Sequence, residues 1–139
     1  MGKTIMVVDD EADIRDTVKT VLEKEGYTVV TANNADDALK KEATAKPALI
    51  LMDIMMPGID GFETCRRLKE NDAMKAIPVI FISAKVERED IEKIYSVGGV
   101  DYINKPFQRE EVLSRVQTHL ELIKTKREKK ALIEQCKDN

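Results

Sequence analysis

Histidine is almost missing from this chain of 139 residues, with His119 its single instance, and cysteine occurs only twice. One imidazole cannot build a multi-histidine metal centre. Cys65 and Cys136 stand far apart with no Cys/His cluster at ligand spacing, so they read as free thiols of a reducing compartment. Long apolar runs are also lacking, and none approaches the roughly 20 residues that span a bilayer. A secretory leader is not expected, because Lys3 precedes only a short apolar run and then Asp9-Asp10. The expectation is a cytoplasmic protein with no membrane partner. An excess of positive charge is absent too: 23 Lys and Arg against 26 Asp and Glu leave a net charge of −3. That balance argues against a general nucleic-acid binder.

What remains is a globular composition, 42% apolar and 35% charged, at a length suited to one domain with a real core. Its clearest stretch is Ala48-Leu49-Ile50-Leu51-Met52-Asp53, an apolar run that ends on an acid before the turn signals Pro57-Gly58 and Gly61. Such a run fits a strand buried on both faces, with Asp53 at its carboxyl end. Similar short runs are Ile5–Val8, ending in Asp9-Asp10-Glu11, then Tyr27–Val30, Val79–Ser83 after Pro78, and Val100–Asn104. Helical spacing separates them. Ile14, Val18, Val21 and Leu22 mark a first helix, with Gly26 as its C-cap. Asn33 or Asn34 can cap a second, whose inner face is Ala35, Ala38 and Leu39. Phe62, Cys65 and Leu68 mark a third, stopped near Asn71. Ile91, Ile94, Tyr95 and Val97 mark a fourth, ended by Gly98-Gly99, and a long last helix follows Lys105-Pro106-Phe107.

Strands alternating with helices imply parallel βαβ units with right-handed crossovers and helices on both faces, a doubly wound α/β sandwich. Ligands of such sheets bind at the carboxyl ends of the strands. Those ends carry Asp9 and Asp10, Asp53, Ser83 and Lys105. Three acids brought together repel one another and resist ionising. A hard divalent cation relieves the repulsion, and Mg²⁺ takes carboxylates, waters and phosphate oxygens. Lys105 and Ser83 add a cation and a hydroxyl suited to an anion. The expected site holds a metal and a phosphoryl group together.

In Asp9-Asp10, in Met52-Asp53-Ile54-Met55-Met56-Pro57-Gly58-Ile59-Asp60-Gly61, in Ile82-Ser83-Ala84 and in Asp101-Tyr102-Ile103-Asn104-Lys105-Pro106-Phe107, the chain resembles the receiver domain of two-component response regulators, the chemotaxis-regulator type. The likeness runs from residue 4 to about 122. It implies a flavodoxin-like sheet of order 2-1-3-4-5 with five helices, the last extended. It divides the chain into a receiver domain at 1–122 and a basic helical extension or linker at 123–139. It further implies that Asp53 is the phosphoacceptor, taking a phosphoryl group from a sensor histidine kinase or phosphotransfer protein. Mg²⁺ would be held by Asp10, by Asp9 mainly through water, by Asp53 and by the backbone carbonyl of Met55. Lys105 would pair with the phosphoryl oxygens, aimed by a cis Lys105-Pro106 bond, and Ser83 would hydrogen-bond the phosphoryl group. Ser83 and Tyr102 would switch the surface of the fourth helix, fifth strand and fifth helix toward a downstream output protein or domain. Met55 and Lys85 occupy positions that tune acyl-phosphate lifetime. The chain is then a phosphoprotein regulator rather than a classical enzyme, although it would assist its own phosphorylation and dephosphorylation. It is either a stand-alone regulator or the receiver of a larger protein, and a phosphorylation-linked homodimer through the fourth and fifth helices is a further expectation.

The sequence departs from the usual pattern at Gly98-Gly99-Val100-Asp101, just before the switch aromatic, and by placing Lys at 85. The last helix has an amphipathic stripe in Val112, Leu113, Val116, Leu120 and Ile123. Beyond it, Lys124-Thr125-Lys126-Arg127-Glu128-Lys129-Lys130 carries a net charge of +4, read as a solvated face rather than a nucleic-acid contact. Arg127 and Lys130 interrupt the apolar seam, so no sustained coiled coil is expected. The competing reading is a haloacid-dehalogenase-like Mg²⁺-dependent phosphatase. Such enzymes carry their nucleophile on the first strand with a general acid two residues later, where this chain has Asp9-Asp10-Glu11.

Overall fold

The computed structural model describes residues 3–84 and 86–137, with side chains to residue 125. Five parallel strands form one sheet: β1 Thr4–Val8, β2 Thr28–Ala32, β3 Leu49–Asp53, β4 Val79–Ser83 and β5 Asp101–Asn104. Their order is β2-β1-β3-β4-β5. The connecting helices are α1 Ala12–Lys24, α2 Ala35–Ala45, α3 Gly61–Lys69 and α4 Arg88–Ser96, and α5 Arg109–Lys137 follows β5.

Period-two alternation sorts the strand side chains between two cores. Met6 and Val8, Ile50 and Met52, and Val79 and Phe81 face one way, against Ala38 of α2, Cys65 and Leu68 of α3, and Ile94 of α4. Ile5 and Val7, Leu49 and Leu51, Ile80 and Ile82, and Ile103 face the other way, against Val18 and Leu22 of α1 and Val112 and Val116 of α5. Both faces are covered, which is why β3 and β4 are apolar along their length until Asp53 and Ser83. Full burial of each large side chain contributes about 1.5–3 kcal/mol. Phe81 also meets Phe62 with ring centroids 5.4 Å apart, a tilted aromatic pair.

The sheet order and the number of helices agree with expectation, and the boundaries shift by a few residues. β2 runs Thr28–Ala32 rather than from Tyr27 to Val30, because it is an edge strand, half exposed, whose short apolar pattern defines its ends poorly. α3 stops at Lys69, and a 3₁₀ turn at Asp72–Met74 with no periodicity of its own follows Asn71. Asn34, of the two candidates, caps α2, its side chain accepting from the Asp37 N–H at 2.8 Å. Glu25 caps α1, and Gly26 follows it with φ of +94°, the left-handed position that glycine fills without strain. On α4 only Ile94 is buried, and Tyr95 faces solvent. In α5, Val112 and Val116 are buried, while Leu113 and Leu120 pack at the edge of the same core. No helix among the described residues is long and apolar enough to cross a membrane.

Candidate functional site

The strand register brings the carboxyl ends of β1, β3, β4 and β5 to one edge of the sheet. Val8 pairs with Met52, Asp53 with Ile82, and Ser83 with Asn104, so residues just past each pair share a rim. Asp9 follows β1 directly and is buried, Asp53 is the last residue of β3, and Ser83 is the buried last residue of β4. Asp10 is exposed at the mouth. Among the described residues, Asp9, Asp10 and Asp53 form a cluster whose carboxylate oxygens lie within 4.8 Å of one another.

Lys105 reaches into this cluster from the end of β5. Its N–H donates to the Ser83 carbonyl at 2.8 Å, continuing the β4–β5 ladder by one step. Its Nζ lies 3.1 Å from Asp9 Oδ2 and 3.6 Å from Asp53 Oδ1. The Lys105-Pro106 bond is cis. Asp9 Oδ1 accepts from the Glu11 N–H at 2.9 Å, and Asp53 Oδ1 from the Met55 N–H at a long 3.4 Å. Met55 turns its side chain to solvent beside the acids. Lys85 lies outside the described residues.

One ammonium cannot neutralise three buried or adjoining carboxylates. Burial and the neighbouring Asp9 push the Asp53 carboxyl up from 3.8 to about 7, against the opposing pull of Lys105 and the Met55 N–H. Burial works against the Lys105 charge, yet its hydrogen bond to Asp9 and the attraction of Asp53 hold the ammonium above its ordinary value. The donor set is therefore all hard oxygen, crowded and short of positive charge, which is what a divalent cation with waters satisfies.

The turn after β3 is shaped by one close approach. Gly61 opens α3 with its N–H on the Ile54 carbonyl at 2.8 Å, and a Cβ there would stand 2.1 Å from the Asp53 carbonyl oxygen. Asp60 caps the same helix through the Glu63 N–H at 2.9 Å. Tyr102 is half-buried on β5, packed at the edge of the core that holds Phe81 and Ile94. A second polar cluster, without a signal in the sequence, joins β5 to α5. There Asp101 accepts from Arg115 at 2.8 Å on both oxygens and lies 3.0 Å from His119. His119 is thus a packed residue with its partner 18 positions away, a spacing that no local pattern announces. Arg15 Nη1 donates to the Asp9 carbonyl at 2.6 Å, again without a local signal.

The family model of the response regulator receiver domain matches residues 5–117. Protein PilG of Pseudomonas aeruginosa is 44% identical over 119 residues, covering 86% of this chain and 88% of PilG. The alkaline phosphatase synthesis transcriptional regulatory protein PhoP of Bacillus subtilis is 42% identical over 120 residues, and the chain spans only about half (49%) of its length. Among solved structures, the chemotaxis protein CheY4 of Vibrio cholerae superposes with a TM-score of 0.83 at 29% identity, over 85% of this chain and 98% of CheY4. The phosphatase alternative finds no support in these matches.

Proposed function

The chain belongs to the response regulator receiver domain family, and from that premise we propose a phosphoacceptor switch seated on Asp53. The observation that carries the reading is Lys105 Nζ lodged between Asp9 and Asp53, at 3.1 and 3.6 Å, beside a third acid. A phosphohistidine of a sensor kinase or phosphotransfer protein is the donor. An Asp53 oxygen attacks phosphorus, the P–N bond breaks, and the imidazole leaves with its electron pair and takes up a proton. Asp10, Asp53 and the Met55 carbonyl would hold Mg²⁺, with Asp9 mainly through water, and the ion would supply charge that neutralises the phosphoryl oxygens. Lys105 binds the same oxygens from the side of β5, and Ser83 donates its hydroxyl to them. Asp9, already tied to Lys105, orients that ammonium.

Once phosphorylated, Ser83 is drawn toward the new acceptor oxygens and Tyr102 turns inward, repacking the α4–β5–α5 face for an output protein or domain. Met55 and Lys85 flank the acyl phosphate and set how readily water reaches it. Residues 1–122 act as the receiver, and 123–139 are a basic helical extension or linker. The protein works in the cytoplasm, as a stand-alone regulator or as the receiver of a longer chain, and pairs through α4 and α5 on phosphorylation. It is a regulator that assists its own phosphorylation and hydrolysis rather than a classical enzyme. Intact mass after incubation with acetyl phosphate tests the reading: a gain of about 80 Da that requires Mg²⁺ and is lost in Asp53→Ala supports it. Rapid turnover of many phosphate esters with no adduct would refute it.

A further inference from the structure

Asp9 is bound at each of its polar atoms. Its N–H donates to the Ala32 carbonyl at 3.1 Å, its Oδ1 accepts from the Glu11 N–H at 2.9 Å, and its Oδ2 accepts from Lys105 Nζ at 3.1 Å. Its carbonyl, one residue past the end of β1, accepts from Arg15 Nη1 at 2.6 Å. The Arg15 bond is the one that local structure does not explain. Arg15 is the fourth residue of α1, close to a helix N-terminus, where the dipole favours acids and disfavours cations. It is nevertheless half-buried, with its guanidinium folded back over the start of the helix onto the strand end. A planar fork suits this reach, and the bond is charge-assisted.

We propose that Arg15 is a positioning residue for the metal side of the site: it fixes the Asp9 backbone, so that the Asp9 carboxylate and the adjoining Asp10 stand ready for a divalent cation. The inference rests on the receiver reading of Asp9, Asp10 and Asp53. Two consequences of removing Arg15 have opposite signs. Taking a cation away from three acids, by Coulomb attraction alone, strengthens Mg²⁺ binding. Taking away a buttress of the ligand backbone weakens it, as loss of supporting partners around metal ligands does by about 10–100-fold. Positioning predicts the second sign.

The experiment is calorimetric titration of the full chain with Mg²⁺, comparing wild type, Arg15→Met and Arg15→Lys, with circular dichroism to establish folding. Arg15→Met is expected to weaken Mg²⁺ binding by about tenfold. At saturating Mg²⁺ its phosphorylation rate should stay within about threefold of wild type, and exchange of the Glu11 amide should quicken. Arg15→Lys keeps the charge and loses the fork, so it should weaken binding in the same direction and by less. An affinity unchanged within about twofold, or tightened, in folded Arg15→Met overturns the proposal. If Arg15→Met does not fold, Arg15→Lys decides by the same criterion. Wild type that binds no Mg²⁺ would instead overturn the receiver reading on which the proposal rests.

Discussion

Asp53→Asn should make the metal-free protein more stable, and only above the acid range. In the fold the Asp53 carboxyl is pushed from 3.8 to about 7, chiefly by burial and by the charge of Asp9. Between those two values the folded chain binds more protons than the unfolded chain. Stability must then fall as pH rises from about 4 to about 7 and level off above that. Roughly three pH units at about 1.4 kcal/mol each give an upper limit near 4 kcal/mol. Opening of the rim to water on ionisation relieves part of this, leaving about 2–4 kcal/mol. Asparagine keeps the shape and discards the titration. Urea unfolding of both proteins at pH 4.5 and pH 8 in EDTA measures the difference, and the effects of acids remote from the site cancel in the comparison. The Asp53→Asn variant is expected to gain relative to wild type on moving to pH 8, and saturating Mg²⁺ should reverse the ranking by stabilising wild type more strongly than the variant, which lacks one carboxylate ligand. A difference between the two proteins that does not change with pH would refute the crowding argument.

Gly61→Ala would drive a methyl group against the Asp53 carbonyl oxygen, 2.1 Å from the ideal Cβ, and is expected to cost at least about 2 kcal/mol in urea unfolding while slowing acetyl-phosphate labelling. Wild-type stability and rate in that variant would contradict the packing of β3 on α3. Lys105→Met should leave the fold intact and reduce the phosphorylation rate by about a hundredfold or more at saturating Mg²⁺, and a rate within a few-fold of wild type would count against its role. Asp101→Asn should cost about 1–2 kcal/mol, because Arg115 and His119 then share one neutral carbonyl oxygen in place of a carboxylate with two. Burial pushes the Asp101 carboxyl up, but hydrogen bonds from His119 and Arg115 prevail and hold it below the ordinary value. Its stabilisation is therefore complete above the usual carboxylate range and is lost as pH falls through the depressed value, so wild type and variant should converge in acid. A gap that persists there would show the pair to be held by something other than charge.

The acids and Ser83 were legible because they close apolar runs, whose carboxyl ends share one rim of a parallel sheet, whereas Lys105 follows the mixed stretch Val100–Asn104 and was legible from its place between the fifth strand and Pro106. The two faces were legible for the same reason: parity along Leu49–Asp53 and Val79–Ser83 decides which core a side chain enters. Side-chain contacts between a helix and a strand end were not. Arg15 on Asp9, and Arg115 and His119 on Asp101, depend on how α1 and α5 lie over their strands, which periodicity does not encode. The 3₁₀ turn after Asn71 is too short for any period, and α4 carries helical spacing over nine residues although it buries only Ile94.

The most direct test is chemical mapping of the acceptor. Wild type is phosphorylated with acetyl phosphate and Mg²⁺, then reduced with borohydride, which converts an acyl phosphate into the corresponding alcohol. Peptide mass spectrometry should find homoserine at position 53 and nowhere else, and none when Mg²⁺ is withheld. Reduction at Asp9, Asp10 or Asp60, or no reduced residue despite bound Mg²⁺, would contradict the assignment of Asp53 as the phosphoacceptor.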